Sequence, residues 1–183
     1  MWRNYTRNFF QLISDGSIGY GVHRLVQMIS KCTDVFYYKF SYVGSHSVFK
    51  FPRNSPYGVT HSDDVQYVLN SWYIAPDASL SDPENFMIER MTRIWEQFAM
   101  KGNPNNSSDP YLVDMIWPKH DEDEYYLDIG THMVEKQGLF LERFKAFDDL
   151  TSSSIKVKLV SFSLLFTLIF IMKLIWEFLF VLH

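Results

Sequence analysis

A single cysteine, Cys32, among 183 residues excludes an intrachain disulfide and a cysteine-built zinc site. It lies in Ser30-Lys31-Cys32-Thr33-Asp34, between a predicted helix and a predicted strand, and is expected to be a small buried filler. Positive charge is also scarce. A net charge of -4, with no basic stripe interleaved with aromatics, removes the electrostatic case for nucleic acid. The first residues, Met1-Trp2-Arg3-Asn4-Tyr5-Thr6-Arg7, lack the apolar centre of a signal peptide, so Met1 reads as an internal residue of a longer protein. No Gly-x-Ser-x-Gly elbow is present, and Gly16-Ser17-Ile18-Gly19 lacks its spacing. Acidic residues do cluster, in Lys119-His120-Asp121-Glu122-Asp123-Glu124. They are adjacent rather than at calcium-loop spacing, and read as a solvated turn.

What is abundant is apolar and aromatic mass. Apolar residues make up 47% of the chain and aromatics 17%, which favours large buried surfaces. Hydropathy divides the chain into a body over 1–150, a short polar linker over 151–158, and an almost wholly apolar tail over 159–182.

Within the body, Tyr20, His23, Val26 and Gln27 alternate with Val22, Leu25 and Ile29 at helical period. This predicts a helix over 17–31 with Asp15 as its N-cap. The near-continuous aromatic run over 35–42 predicts a buried parallel strand. A loop rich in Gly, Ser, Pro and Asn follows from Gly44 to Thr60. Then His61-Ser62-Asp63-Asp64-Val65-Gln66-Tyr67-Val68-Leu69 opens a short helix, with Asp63 and Asp64 in its first turn, where carboxylates suit the helix dipole. The strongest pattern predicts a helix over 83–101. Asp82 caps it, Pro83 starts it, and Met87, Met91, Ile94, Trp95 and Phe98 form its apolar stripe. Gly102 and Pro104 end it. Tyr125 to Ile129 reads as a strand, and residues 138–147 as a final amphipathic helix. Helix, strand, helices, strand, helix predicts an α/β fold. Two strands make a poor sheet alone, so the body reads as one part of a larger sheet.

Four of these segments, in this order, resemble the type-B carboxylesterase and cholinesterase family, especially insect esterases. Val35 to Tyr42 resembles the family's strand before the histidine loop. Gly58-Val59-Thr60-His61-Ser62-Asp63 resembles its glycine-x-x-histidine-x-acid motif. Met91 to Pro104 is similar to its helix ending Phe-Ala-x-x-Gly-x-Pro. Trp117-Pro118 followed by Tyr126 to Ile129 is similar to its closing strand. The resemblance implies the C-terminal part of an α/β-hydrolase fold. It also implies that His61 is the histidine of a serine, acid and histidine triad, acting as general base toward serine and general acid toward the leaving alkoxide. An imidazole suits both steps because its ordinary pKa lies near neutrality. The implied substrate is a carboxylic ester, with no metal and no organic cofactor. The family's serine motif is missing here and its acid lies upstream, so the chain alone is expected to be inactive. Asp63 and Asp64 sit too close along the chain to orient the ring of His61, and are assigned to capping and local salt bridging. His23, His46, His120, His132 and His183 match no family motif.

The tail from Leu159 to Leu182, interrupted only by Lys173 and Glu177, predicts a C-terminal hydrophobic helix. About 20 apolar residues suffice to cross a bilayer core. Lys173 and Glu177, four apart, share a face and can pair. A cleaved glycolipid-anchor signal is the rival reading, from Ser152-Ser153-Ser154 before the apolar run. Either makes a lipid membrane a partner and places the body in the secretory pathway. Lys156 and Lys158 oppose that orientation. Asn4, Asn105 and Asn106 lie in N-glycosylation acceptor triplets. The alternative to an esterase fragment is a non-catalytic cell-surface recognition protein resembling neuroligins, for which an imidazole at position 61 has no use.

Overall fold

The computed structural model describes residues 2–44, 47, 58–69 and 84–152. Its elements run in the order α1 (Trp2–Ser14), a π-helical turn (Asp15–Gly19), α2 (Tyr20–Ile29), β1 (Tyr38–Phe40), a 3-10 turn (Asp64–Tyr67), α3 (Asn85–Lys101), β2 (Tyr125–Ile129), β3 (Met133–Gln137) and α4 (Leu141–Ser152). They fall into two compact units. One is Val26–Leu139, and the other joins Met1–Leu25 to Phe140–His183.

In the Val26–Leu139 unit the sheet order is β1-β2-β3. β1 and β2 are parallel, with Tyr38 opposite Leu127 and Phe40 opposite Ile129. β2 and β3 form an antiparallel hairpin, with Leu127 opposite Glu135. The central strand is buried on both faces, and its apolar side chains alternate between two clusters. Leu127 and Ile129 enter the larger core, with Met87, Met91 and Ile94 of α3 and with Tyr67, Leu112, Met115 and Trp117. Tyr126 enters a second cluster with Val26, Tyr37 and Leu139. Leu127 is fully enclosed. Truncating such a residue to alanine costs about 2–5 kcal/mol.

α3 forms as its stripe requires. It ends where Gly102 adopts a left-handed φ of 68° and its N–H donates to Phe98 O at 2.7 Å. Only the upper part of the stripe is deeply buried, and Trp95 and Phe98 remain more than a third exposed. Asp82 and Pro83 lie outside the described residues. Arg90, buried in α3, donates to Tyr111 O at 2.8 Å and pairs with Asp114. Arg93 pairs with Asp109 at 3.1 Å. The two arginines fasten the 109–115 segment to the helix.

Several expectations change. The predicted 35–42 strand is regular only over Tyr38–Phe40, although Tyr37 O and Ser41 N still bond to Leu127 N and Ile129 O. The helix expected to begin at 17 runs back to Trp2, and Asp15 is not its N-cap but part of a π-helical turn inside it. The helix expected over 138–147 begins at Leu141, after Gly138 and Phe140 take left-handed φ values of 68° and 57°. β3 is an addition, polar enough in Glu135, Lys136 and Gln137 to carry no strand pattern. Cys32 is exposed rather than buried, because it sits in the turn that closes α2, where its N–H donates to Ile29 O. The acidic run is the solvated turn expected: Asp121 accepts from Asp123 N and Glu124 N, and its neighbours face water.

In the other unit α4 packs against the π-helical turn and α2. The Phe147 ring stacks on Tyr20 at 5.3 Å, and Phe144 lies 4.9 Å from the buried His23 ring. The apolar tail over 159–182 lies outside the described residues. Among the described residues no helix is long and apolar enough to cross a membrane.

Candidate functional site

His61 lies at the apex of a tight turn, with its side chain exposed. The turn is reached through Gly58, whose φ of 71° favours glycine, and it closes where Asp63 N–H donates to Thr60 O at 3.2 Å. The carboxylate of Asp63 is buried and grips both sides of the apex. It accepts the Thr60 N–H at 2.7 Å on one oxygen and the Ser47 hydroxyl at 2.7 Å on the other. The Thr60–Asp63 contact closes the turn across a Thr-x-x-Asp spacing visible in the sequence. Between them Ser62 takes a φ of 68°, a conformation that L side chains rarely adopt.

The base of the turn is tied to the sheet. Tyr38 of β1 donates its hydroxyl to Asp64 at 2.7 Å. Burial first, and the nearby Asp64 charge second, push the Tyr38 phenol above its usual range. Tyr67, fully enclosed, donates to Glu84 at 3.0 Å, and its ring lies 5.4 Å from Phe40 and 5.5 Å from Tyr42. Gly44 is required here, since a Cβ at that position would come within 1.9 Å of the Tyr67 hydroxyl. Thus the exposed imidazole stands on a rigid base, with its flanking backbone fixed by a buried carboxylate. This is the condition a general acid or base needs.

Asp63 stands at the N-cap of the 3-10 turn but makes no side-chain cap bond there, holding the Thr60 N–H and the Ser47 hydroxyl instead, and Asp64 in its first turn accepts the Tyr38 hydroxyl, so the expected capping is not what the structure shows. Tyr38, Ser47 and Glu84 are the participants that no local pattern announced. His46 and His183 lie outside the described residues, His23 and His120 are buried, and His132 is exposed. The His120 Nδ1 sits 2.9 Å from Tyr125 O, a structural contact. Among the described residues no group of three His, Cys, Asp or Glu side chains could hold a metal ion. An apolar cavity of about 40 Å³ between β1 and α3 is walled by Phe36, Tyr38, Trp95, Phe98 and Trp117. It is far below the roughly 300 Å³ at which small-molecule sites begin.

The acceptor triplets differ in geometry. Asn105 is half-buried. Its Nδ2 donates to Trp117 O at 2.8 Å and to Asn103 Oδ1 at 3.0 Å, while its Oδ1 accepts from Trp117 N at 2.8 Å. Asn106 makes one long contact to Gln97 at 3.5 Å and accepts from Ser108 N at 3.2 Å. Asn4 lies in α1.

Comparison with known proteins gives this geometry its context. The model of the carboxylesterase family matches residues 3–147. Acylcarnitine hydrolase of Rattus norvegicus is 31% identical over 111 residues, which is 61% of this chain and 18% of that protein. Esterase E4 of Myzus persicae is 31% identical over 109 residues, 55% of this chain and 19% of that protein. The chain therefore spans about a fifth of the length of the curated relatives it matches. Among solved structures, juvenile hormone esterase from Manduca sexta superposes with a TM-score of 0.61 at 20% identity, covering 77% of this chain and 28% of that one. A carboxylesterase from Geobacillus stearothermophilus gives 0.54 at 17% identity. These likenesses show the fold, a mixed sheet with helices shared with solved esterases.

Proposed function

We propose, from the premise that this chain belongs to the carboxylesterase family, that it is the C-terminal part of a carboxylic ester hydrolase and supplies His61 as the general base and acid. The observation that carries the reading is the clamped turn. Inside the stretch matched by the family, an exposed imidazole stands between residues held by the buried Asp63 carboxylate. In the completed enzyme His61 accepts the proton of a serine hydroxyl as it attacks the ester carbonyl. It then returns that proton to the departing alkoxide, leaving an acyl-serine, and activates water in the same way for deacylation. Serine and acid come from the part of the fold for which this chain has no counterpart. The relatives' printed substrates, acylcarnitine and juvenile hormone among them, support an ester of a carboxylic acid as the substrate class.

The test is a chimera in which residues 3–147 replace the matched C-terminal part of Esterase E4. Hydrolysis of p-nitrophenyl acetate is expected, and His61→Gln is expected to lower its rate by about 10²–10⁴-fold or more. A folded chimera whose rate is unchanged by His61→Gln removes this reading. A membrane tether through 159–182 belongs to the same reading and is supported by the apolar run alone.

A further inference from the structure

α2 is apolar on two sides. One side is occupied within its own unit, where Gly19 and His23 meet Phe144 and Tyr20 meets Phe147. The opposite side carries Ile18, Val22 and Leu25 at spacings of four and three, exposed at 42%, 43% and 54%. Phe9 and Leu12 of α1 are also exposed, each at 59%. A helix apolar on both faces is built to lie between two packed layers. A contiguous exposed stripe of large aliphatic side chains marks an interaction surface rather than ordinary solvent-facing residues. Among the described residues only one of the two layers is present.

We infer that the Ile18, Val22 and Leu25 face docks the preceding α/β-hydrolase segment of a carboxylesterase, the portion of the relatives that has no counterpart in this chain. Two observations select that occupant. The family match begins at residue 3, so α1 and α2 lie inside the family fold rather than in an appendage. And the chain covers only 19% of Esterase E4 and 28% of juvenile hormone esterase, so most of the fold that would supply the second layer lies outside the matched part. The inference rests on the reading of the chain as a C-terminal esterase portion. It adds which surface makes the join.

The experiment co-expresses the full 183-residue chain with Esterase E4 truncated before its match, as two separate polypeptides. The chain is expected to raise the soluble yield of the truncated esterase and to co-purify with it one to one. Val22→Glu with Leu25→Glu is expected to reduce the complex at least tenfold. Met100→Glu, at a 70% exposed position on α3, leaves it unchanged. A second measurement does not depend on the charged variant folding. In a Cys32→Ser background, Leu25→Cys is expected to react with a maleimide at least tenfold more slowly in the complex than in the chain alone. Equal labelling rates overturn the inference, as does a truncated esterase left as insoluble as before. Protection already present in the chain alone overturns it too. If that protection survives dilution the tail is the occupant, if it is lost on dilution a second copy is, and if it appears with phosphatidylcholine vesicles a lipid surface is. A complex that forms but hydrolyses no p-nitrophenyl acetate keeps the docking surface and removes the catalytic reading. An active fused chimera whose halves never associate as separate chains does the reverse.

Discussion

Ser62 holds a backbone conformation that costs an L residue about 1–2 kcal/mol, and glycine at that position would return up to about 1 kcal/mol as unfolded-chain entropy. Ser62→Gly is therefore expected to stabilise the protein by up to about 1 kcal/mol, seen as a higher urea midpoint with an unchanged slope. Loss of stability would mean that the serine hydroxyl holds the turn. At the overlapping acceptors, attaching a sugar to Asn105 Nδ2 removes one of two N–H bonds that fix Trp117 and Asn103, whereas Asn106 gives up one long contact. In a secretory host the glycan is expected on Asn106. Peptide mass spectrometry should lose the modification in Asn106→Gln and retain it in Asn105→Gln. At this scale the proposal for His61 rests on its neighbours along the chain, which resemble a family motif. Asp63 was half legible, through Thr-x-x-Asp. Ser47 and Tyr38 were not, because the contacts that give them meaning join residues 16 and 26 positions apart.

Among the elements, the π-helical turn taught most. Asp15 reads as the cap that starts a helix, and instead Asp15-Gly16-Ser17-Ile18-Gly19 sits inside a continuous helical rod. The glycines serve packing: a Cβ at Gly16 would lie 3.3 Å from the Phe147 ring, and one at Gly19 3.3 Å from Phe144. Asp15 is buried in this turn and accepts from Arg143 at 3.0 Å. Burial raises its pKa and the Arg143 charge partly opposes that. A carboxyl whose folded pKa lies above its unfolded one contributes stability fully below the unfolded value, and loses it as pH rises through the folded value. Removing the guanidinium enlarges that loss. Arg143→Met is thus expected to cost about 2 kcal/mol at neutral pH, less than a fully buried pair because Arg143 is one-third exposed, and the deficit should shrink toward about pH 4. Thermal melts of both proteins across that range check it. A deficit independent of pH would assign the loss to packing against Phe140, over which the guanidinium lies at 3.7 Å. The β3 strand escaped sequence reading for the opposite reason: one face is open to water, so no apolar alternation marks it.

For the molecule as a whole, the aromatic excess noted in the composition became a set of buried phenols beneath and beside the sheet. Burial, then the Glu124 and Tyr126 charges, push Tyr37 up to about 12, and Tyr38 is raised as well. These phenols ionise near 10 once unfolded. Stability is therefore fully present below about pH 10 and falls as pH rises toward the folded values, by roughly 1.4 kcal/mol per pH unit for each buried phenol. Absorbance at 295 nm should show two tyrosines titrating only with unfolding, and Tyr38→Phe should flatten the alkaline slope. If every tyrosine ionises before circular dichroism changes, the phenols are not protected. The α/β class was legible because strand and helix patterns alternate, and the family because four motifs fall in order. How the 35–42 run divides between ladder and irregular backbone was not, since that depends on where β2 ends.

The sheet has one finished margin and one unfinished one. Among the described residues β1 and β3 each pair only with β2, and the β3 edge is blunted by the charges of Glu135 and Lys136, of the kind that keep an edge strand from pairing. In the language of polymer growth this is a chain terminator: it accepts one neighbour and offers no second. Two copies meeting edge to edge through β1 would bury that edge in both and leave only the charged β3 edges outside, which disfavours addition of a third copy and growth into fibres.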